Sequence, residues 1–170
     1  EEMKVPLTIR ISPLVYDMVK PEKQQLQSVF YEKKTASYLH FPVETYLAEQ
    51  IFSIINYLEL IPSMEAYDTV FHLLKQEPVD GRHIYETIVF LCKKEEAAPQ
   101  AERIEMLASY EDYTYMKKRW EKYARKQGRE NISWETVLQQ ILSFVTPIWD
   151  AVCRDEIFFG DWMPDLSRYL

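Results

Sequence analysis

Between residues 41 and 74 the apolar positions fall into two helical stripes with a short polar break between them. Val43, Leu47, Ile51, Ile54, Ile55 and Leu58 recur at the 3.6-residue spacing of one helix face, with Glu49 opposite and Gln50 at the edge of the stripe. Pro42 suits the first helical position, where a missing N–H costs nothing, and Glu44 follows where a negative charge favours a helix N-terminus. Pro62-Ser63 breaks the pattern. Ser63 is expected to cap a second helix over 64–76, with Ala66, Val70, Leu73 and Leu74 inward.

Further on, the turn at 78–81 leads to a predicted helix over 82–94, and 95–100 reads as a loop. A short helix is expected at 102–108. A longer one spans 112–127, with Tyr113, Met116, Trp120 and Tyr123 on one side and Gly128 as its stop. Ser133 should cap a last helix over 134–153, its stripe running from Trp134 through Val137, Leu138, Ile141, Phe144 and Val145 to Ile148. Pro147 is expected to kink it or end its regular part. The apolar tail, 155–170, is expected to fold back rather than meet a partner.

Before residue 41 the period changes. Val5, Leu7, Ile9 and Ile11 alternate with other residues, which predicts a strand over 4–11; 13–20 is ambiguous between loop and helical turn. Two short strands are expected at 27–31 and 37–41, turning at Glu32-Lys33-Lys34. Such a section needs something to pack on. The predicted fold is therefore α+β and mainly α: a strand section over 1–41, then a helical domain over 42–170 of about six helices.

Composition sharpens this reading. Apolar residues are 47% of 170 and only three are glycine, which suits a packed, mainly helical chain. Twenty basic against 27 acidic residues give a net charge of −7, so a nucleic-acid role would need a local patch. Cys92 and Cys153 lack metal-ligand spacing and read as small buried residues in a reduced cytoplasmic compartment. No apolar run reaches membrane-spanning length and no signal peptide opens the chain. Glu1 follows no Met, so the chain reads as carrying a remnant at its start or as a piece of something longer.

One order of segments carries a resemblance: His40-Phe41-Pro42-Val43-Glu44-Thr45-Tyr46-Leu47-Ala48-Glu49-Gln50-Ile51, then Met64-Glu65-Ala66-Tyr67-Asp68, then Arg119-Trp120-Glu121-Lys122-Tyr123, then Phe144-Val145-Thr146-Pro147. Over residues 5–147 this is similar to the second half of the AbiEii-type nucleotidyltransferase toxins, an abortive-infection and toxin–antitoxin family. Members join a nucleotidyltransferase-fold core to a C-terminal helical domain. They carry Y-P-x-E-T-x-x-A-E-K-L at one helix start and K-D-x-Y-D at the next. The resemblance implies that residues 1–41 are the tail of the nucleotidyltransferase-like sheet. It implies Glu65 and Asp68 as remnants of catalytic acids, and Glu44, Glu49 and Gln50 on the substrate side.

The departures fall where chemistry would occur. The family's glycine motif and first catalytic acid would precede Glu1. A metal-binding strand carboxylate aligns with Arg10, the A-E-K lysine with Gln50, and the K-D-x-Y-D lysine with Met64. Nucleotidyl transfer needs carboxylates to hold Mg²⁺ and cations to balance charge developing on the phosphates. The chain is thus expected to be catalytically degenerate, with no metal site or cofactor of its own, and to act by binding or regulation. Mg²⁺ and a nucleoside triphosphate are implied only if a parent protein is active. The alternatives are the C-terminal part of an active toxin acting on tRNA or another nucleotide acceptor, or a helical interaction module unrelated to the family. A cognate antitoxin or another protein is the implied partner.

Two patterns remain open. Glu65, Asp68 and His72 share a helix face, as an acid–base or metal site or, more plainly, as a solvated polar face. Lys117, Lys118, Arg119, Lys122, Arg125 and Lys126, interleaved with Trp120 and Tyr123, form an RNA-contacting or merely solvated basic face, with Lys117, Lys118 and Arg119 the candidate substrate contacts. His40 and His83 show no evident partner in the sequence.

Overall fold

A computed structural model describes residues 21–28 and 34–170; the strand expected at 4–11 and the ambiguous stretch at 13–20 lie outside them. The chain divides into two compact units, Glu1–Phe41 and Pro42–Leu170. In the first, β1 (Glu22–Gln27) and β2 (Thr35–His40) form an antiparallel pair, with Glu22 opposite His40 and Gln27 opposite Thr35. Both strands begin earlier than the sequence pattern places them. The segment EKQQLQ carries one apolar residue, Leu26, so no alternation marks it, and backbone pairing alone defines the strand.

Among the described residues the second unit holds six helices: α1 (Val43–Tyr57), α2 (Glu65–Gln76), α3 (Gly81–Lys94), α4 (Glu102–Ser109), α5 (Thr114–Lys126) and α6 (Trp134–Arg154). The protein is therefore α+β and mainly α. α6 is the axis of the unit, touching α2, α3, α4 and α5, while α1 packs on α2, α3 and α4. The stripe of α6 is buried as its spacing predicts, from Trp134 and Val137 to Ile148 and Trp149. No helix among the described residues is long and apolar enough to cross a membrane.

Pro147 does not end α6, which continues to Arg154. Proline removes the donor to the carbonyl four residues earlier, here that of Ser143. Both Pro147 and Ser143 lie on the exposed side, where water can serve that carbonyl. Side chains cap two of the helix starts, at Ser133 as the sequence suggests and at Asp80 without such an expectation. The Ser133 hydroxyl accepts from the Thr136 N–H at 3.2 Å, and Asp80 accepts from His83 at 3.1 Å. Ser63 sits one residue before the cap position of α2, yet its hydroxyl still accepts from the Glu65 N–H at 3.1 Å.

The tail folds back. β3 (Val79–Asp80), β4 (Asp161–Met163) and β5 (Arg168–Tyr169) make a small antiparallel sheet. Trp162 is fully buried there and donates its Nε1–H to the Leu74 carbonyl at 2.9 Å, while the Tyr169 hydroxyl donates to the Phe144 carbonyl at 2.7 Å. Gly81 is required where this sheet meets α3, because a Cβ would lie 2.2 Å from the Gly160 carbonyl oxygen.

The connection between α1 and α2 is the strained part of the unit. Leu58 closes α1 at φ 50° and ψ −126°, a conformation that L side chains disfavour. A 3-10 turn, Leu58–Leu60, follows. Two arginines hold this segment. Arg103 donates to the carbonyls of Ile55 (3.1 Å) and Asn56 (3.0 Å). Arg119 donates to those of Glu59 (2.7 Å) and Ile61.

Candidate functional site

Asp68 lies in the first turn of α2 and is 6% exposed, although the plainer sequence reading places it on a solvated face. Burial of a carboxylate is costly unless it is paired and hydrogen-bonded. Both conditions are met. Its Oδ2 accepts from the Tyr123 hydroxyl on α5 at 3.0 Å and pairs with the Arg129 guanidinium, which follows α5. Its Oδ1 faces His72 Nε2 at 3.3 Å, one helical turn on, without hydrogen-bond alignment, and both atoms are otherwise buried without a partner.

The electrostatics follow from this enclosure. Burial, and then the Arg129 charge, push the His72 imidazole below its ordinary value, so it tends to stay neutral. Burial and the bond to Asp68 push the Tyr123 phenol up to about 12, so it remains a donor rather than a base. The cluster holds one carboxylate, one guanidinium, one phenol and a neutral imidazole. It locks α2 to α5 and the loop beyond. Among the described residues no group of three or more His, Cys, Asp or Glu side chains is placed to hold a metal ion.

Glu65 stands apart, exposed in the first turn of α2. Glu44 is half-buried in the first turn of α1. Its Oε1 is 3.5 Å from the Asp80 N–H, a backbone donor ahead of α3 rather than at the start of its own helix. Asp80 comes after α2 has ended, and Asp68 to Gln76 is about 12 Å of helix at 1.5 Å per residue. The structure therefore separates Glu44 from the two acids of α2. Glu49 and Gln50 are half-buried on α1, in the half away from the Leu58 turn. His83 does find a partner, with Nε2 3.4 Å from the Thr45 hydroxyl.

The basic residues of α5 divide into three groups. Lys117 is ion-paired, 2.7 Å from Glu135 Oε1 and 3.5 Å from Asp112 Oδ1, and the Glu135 partner raises its ammonium above the ordinary value. Arg119 turns inward to the main-chain carbonyls of the Leu58–Leu60 turn and lies 5.5 Å from the Tyr115 ring centre. Lys118, Lys122 and Lys126 are exposed, and Arg125 lies 3.7 Å from Glu130. Between α5 and α6 a cleft of about 430 Å³ is lined by Lys117, Trp120, Arg125, Glu130 and Trp134. Trp120 serves the core, donating its Nε1–H to the Ile132 carbonyl at 2.8 Å.

Two functional arrangements have no clear signal in the sequence. Arg129 is 61 residues from Asp68, and only Gly128 hints at its position: its φ of 66° turns the chain as α5 ends. Glu59 takes the Tyr110 hydroxyl, which holds the Glu59 carboxyl below its ordinary value. The two cysteines are free thiols, Cys92 buried and pushed up to about 11 by that burial and then by Cys153. No family model, no curated protein and no solved structure matches the chain.

Proposed function

We propose that this chain is a nucleotidyltransferase-like protein of the AbiEii toxin type, or the C-terminal part of one, in which transfer chemistry has decayed and binding or regulation is the remaining role. The observation that carries this reading is the state of Asp68. It is the one acid of the Met64–Asp68 segment that matches the family pattern unchanged, and its carboxylate is taken up by Arg129 and Tyr123. A carboxylate neutralised by an arginine is a poor ligand for Mg²⁺, which needs free anionic oxygen. Gln50 and Met64 stand where the family has its phosphate-balancing lysines. The two free thiols suit a reducing, cytoplasmic compartment.

The test is labelling with each of the four radiolabelled nucleoside triphosphates and Mg²⁺, offering tRNA and the protein itself as acceptors. No label above the protein-free blank is expected. Mg²⁺-dependent label that disappears in Glu65→Gln or Asp68→Asn would overturn the reading. A second reading, the C-terminal part of an active toxin, is favoured by Glu65, whose side chain is open to solvent in the first turn of α2. It requires an acid and a glycine motif encoded upstream of Glu1, and labelling by the longer product.

A further inference from the structure

The helical unit carries two exposed surfaces of opposite character. One is built on the Leu58–Leu60 turn and α5. Leu60 is 78% exposed, on a turn held in a strained conformation by Arg103 and Arg119. Arg119 joins that turn to the exposed Tyr115 ring, which lies 5.9 Å from the Tyr113 ring. From there Lys118, Lys122 and Lys126 run down α5 at four-residue spacing, about 6 Å of rise per step. None of the three pairs with a carboxylate among the described residues, in a chain of net charge −7.

The other surface is the hook where the chain leaves α6. Asp155 turns it out at φ 54°, and Asp155, Glu156 and Asp161 are exposed around Ile157 (60%) and Phe159 (66%). It offers three acids and two apolar side chains to match three lysines and an apolar, tyrosine-edged patch. The Lys117–Glu135 pair fixes α5 beside the first turn of α6, whereas the hook follows its last residue. The 21 residues of α6 span about 31 Å at 1.5 Å per residue, so one copy cannot bring its own two surfaces together.

We propose that the protein associates head to tail, the 155–161 hook of one copy seated on the α5 and Leu60 face of another. This contact is heterologous, so it propagates into a ring or an open chain rather than stopping at a two-fold dimer. A nucleic acid fits the α5 face less well. The Tyr113 ring is flanked by Tyr110 and Tyr115 at 5.6 and 5.9 Å, which crowds the stacking a base would use. The net charge of −7 opposes a second copy as it opposes a polyanion, so the local match of the two surfaces must outweigh it. Glu121 beside the lysines, Arg154 beside the hook and Arg82, whose guanidinium lies 5.2 Å from the Phe159 ring centre, are opposing charges, and the apolar residues must outweigh them.

The experiment is sedimentation velocity on the 170-residue protein over a concentration series, at low and high salt. Average mass is expected to rise with concentration and to fall back as salt is added. The triple variant Lys118→Glu, Lys122→Glu, Lys126→Glu is expected to stay monomeric, and so is the double variant Asp155→Lys, Glu156→Lys. Mixing the two is expected to restore association, because the acidic hook of the first meets the native lysines of the second. All five positions are exposed, and an unchanged circular-dichroism melt shows that each variant folds. A wild-type mass that stays monomeric throughout, or a mixture that fails to associate, overturns the proposal. So does a single-stranded RNA that binds the wild type but not the lysine variant while the mass stays monomeric.

Discussion

The unit contains two clusters that each hold a carboxylate, a tyrosine and an arginine, the first with His72 beside it, and that do different work. At Asp68 the arginine neutralises the carboxylate, and the buried group is charge-balanced inside the protein. At Glu59 the tyrosine serves the carboxylate, while the arginine serves main-chain carbonyls on a strained turn. The first arrangement joins α2 to α5 and the loop after it. The second holds a backbone conformation that would otherwise relax. What separates them is burial: Asp68 is enclosed, and Glu59 is half open to water. A carboxylate that water can reach does not require a cation, so Arg119 is free to hold the chain.

This contrast makes Arg129→Met the most disruptive of the substitutions that separate the clusters. It leaves Asp68 buried with Tyr123 as its one remaining hydrogen-bond donor. Removing one partner of a buried pair costs about 3 kcal/mol at the lower end of the usual range, appropriate here because Arg129 is 38% exposed. Urea unfolding would measure it. Adding Asp68→Asn to Arg129→Met should recover part of the loss, since a neutral amide tolerates the same site. Arg119→Met should cost less, about 2 kcal/mol, the worth of charge-assisted bonds to carbonyls that water can partly replace. Adding Glu59→Gln to Arg119→Met should recover nothing, because that carboxylate does not depend on the arginine. Equal recovery in both double variants would erase the distinction.

The helices were legible because their burial follows a period the residues display. In α6 the positions the 3.6-residue stripe names are all buried; of the α1 stripe, Leu47, Ile51, Ile54, Ile55 and Leu58 are, while Val43 is half-buried and Thr45, Ala48 and Phe52 are buried as well. β1 was not legible at its true position, because EKQQLQ is exposed throughout and has no apolar alternation to read. Asp68 was legible as a candidate but not in its surroundings. Pairing across 61 residues leaves no local trace, and polar spacing on a helix cannot tell a solvated face from one covered by another element. The turn at Leu58 was equally silent, since leucine gives no warning of a positive φ.

The tyrosines offer a finer measure of the same contrast. Tyr123→Phe removes a donor from a buried carboxylate oxygen and should cost about 1.5 kcal/mol, whereas Tyr110→Phe leaves Glu59 to water and should cost about 0.5 kcal/mol. Chemical denaturation of the two variants side by side decides it. The order matters more than either value, and a Tyr110→Phe loss exceeding that of Tyr123→Phe would place the more enclosed carboxylate at Glu59.

The smallest effect is the dependence on pH, and its two parts fall in different windows. Burial, and then the charge of Arg129, hold His72 below its ordinary 6.5, so the unfolded chain takes up a proton there before the folded one. Stability therefore falls as pH drops through about 6.5, and the fall ends below the depressed folded value, where both states are protonated. Glu59 is held below its ordinary 4.5 by Tyr110, so its contribution is complete above that value and is lost on further acidification. The melting temperature should thus decline in two stages between neutral and acid pH. His72→Gln should flatten the upper stage and leave the lower one, and Tyr110→Phe should leave the upper stage and soften the lower, to which Glu135, held low by Lys117, also contributes. If His72→Gln instead steepened the upper stage, the imidazole would be binding its proton more tightly in the folded state, with Asp68 rather than Arg129 setting its charge.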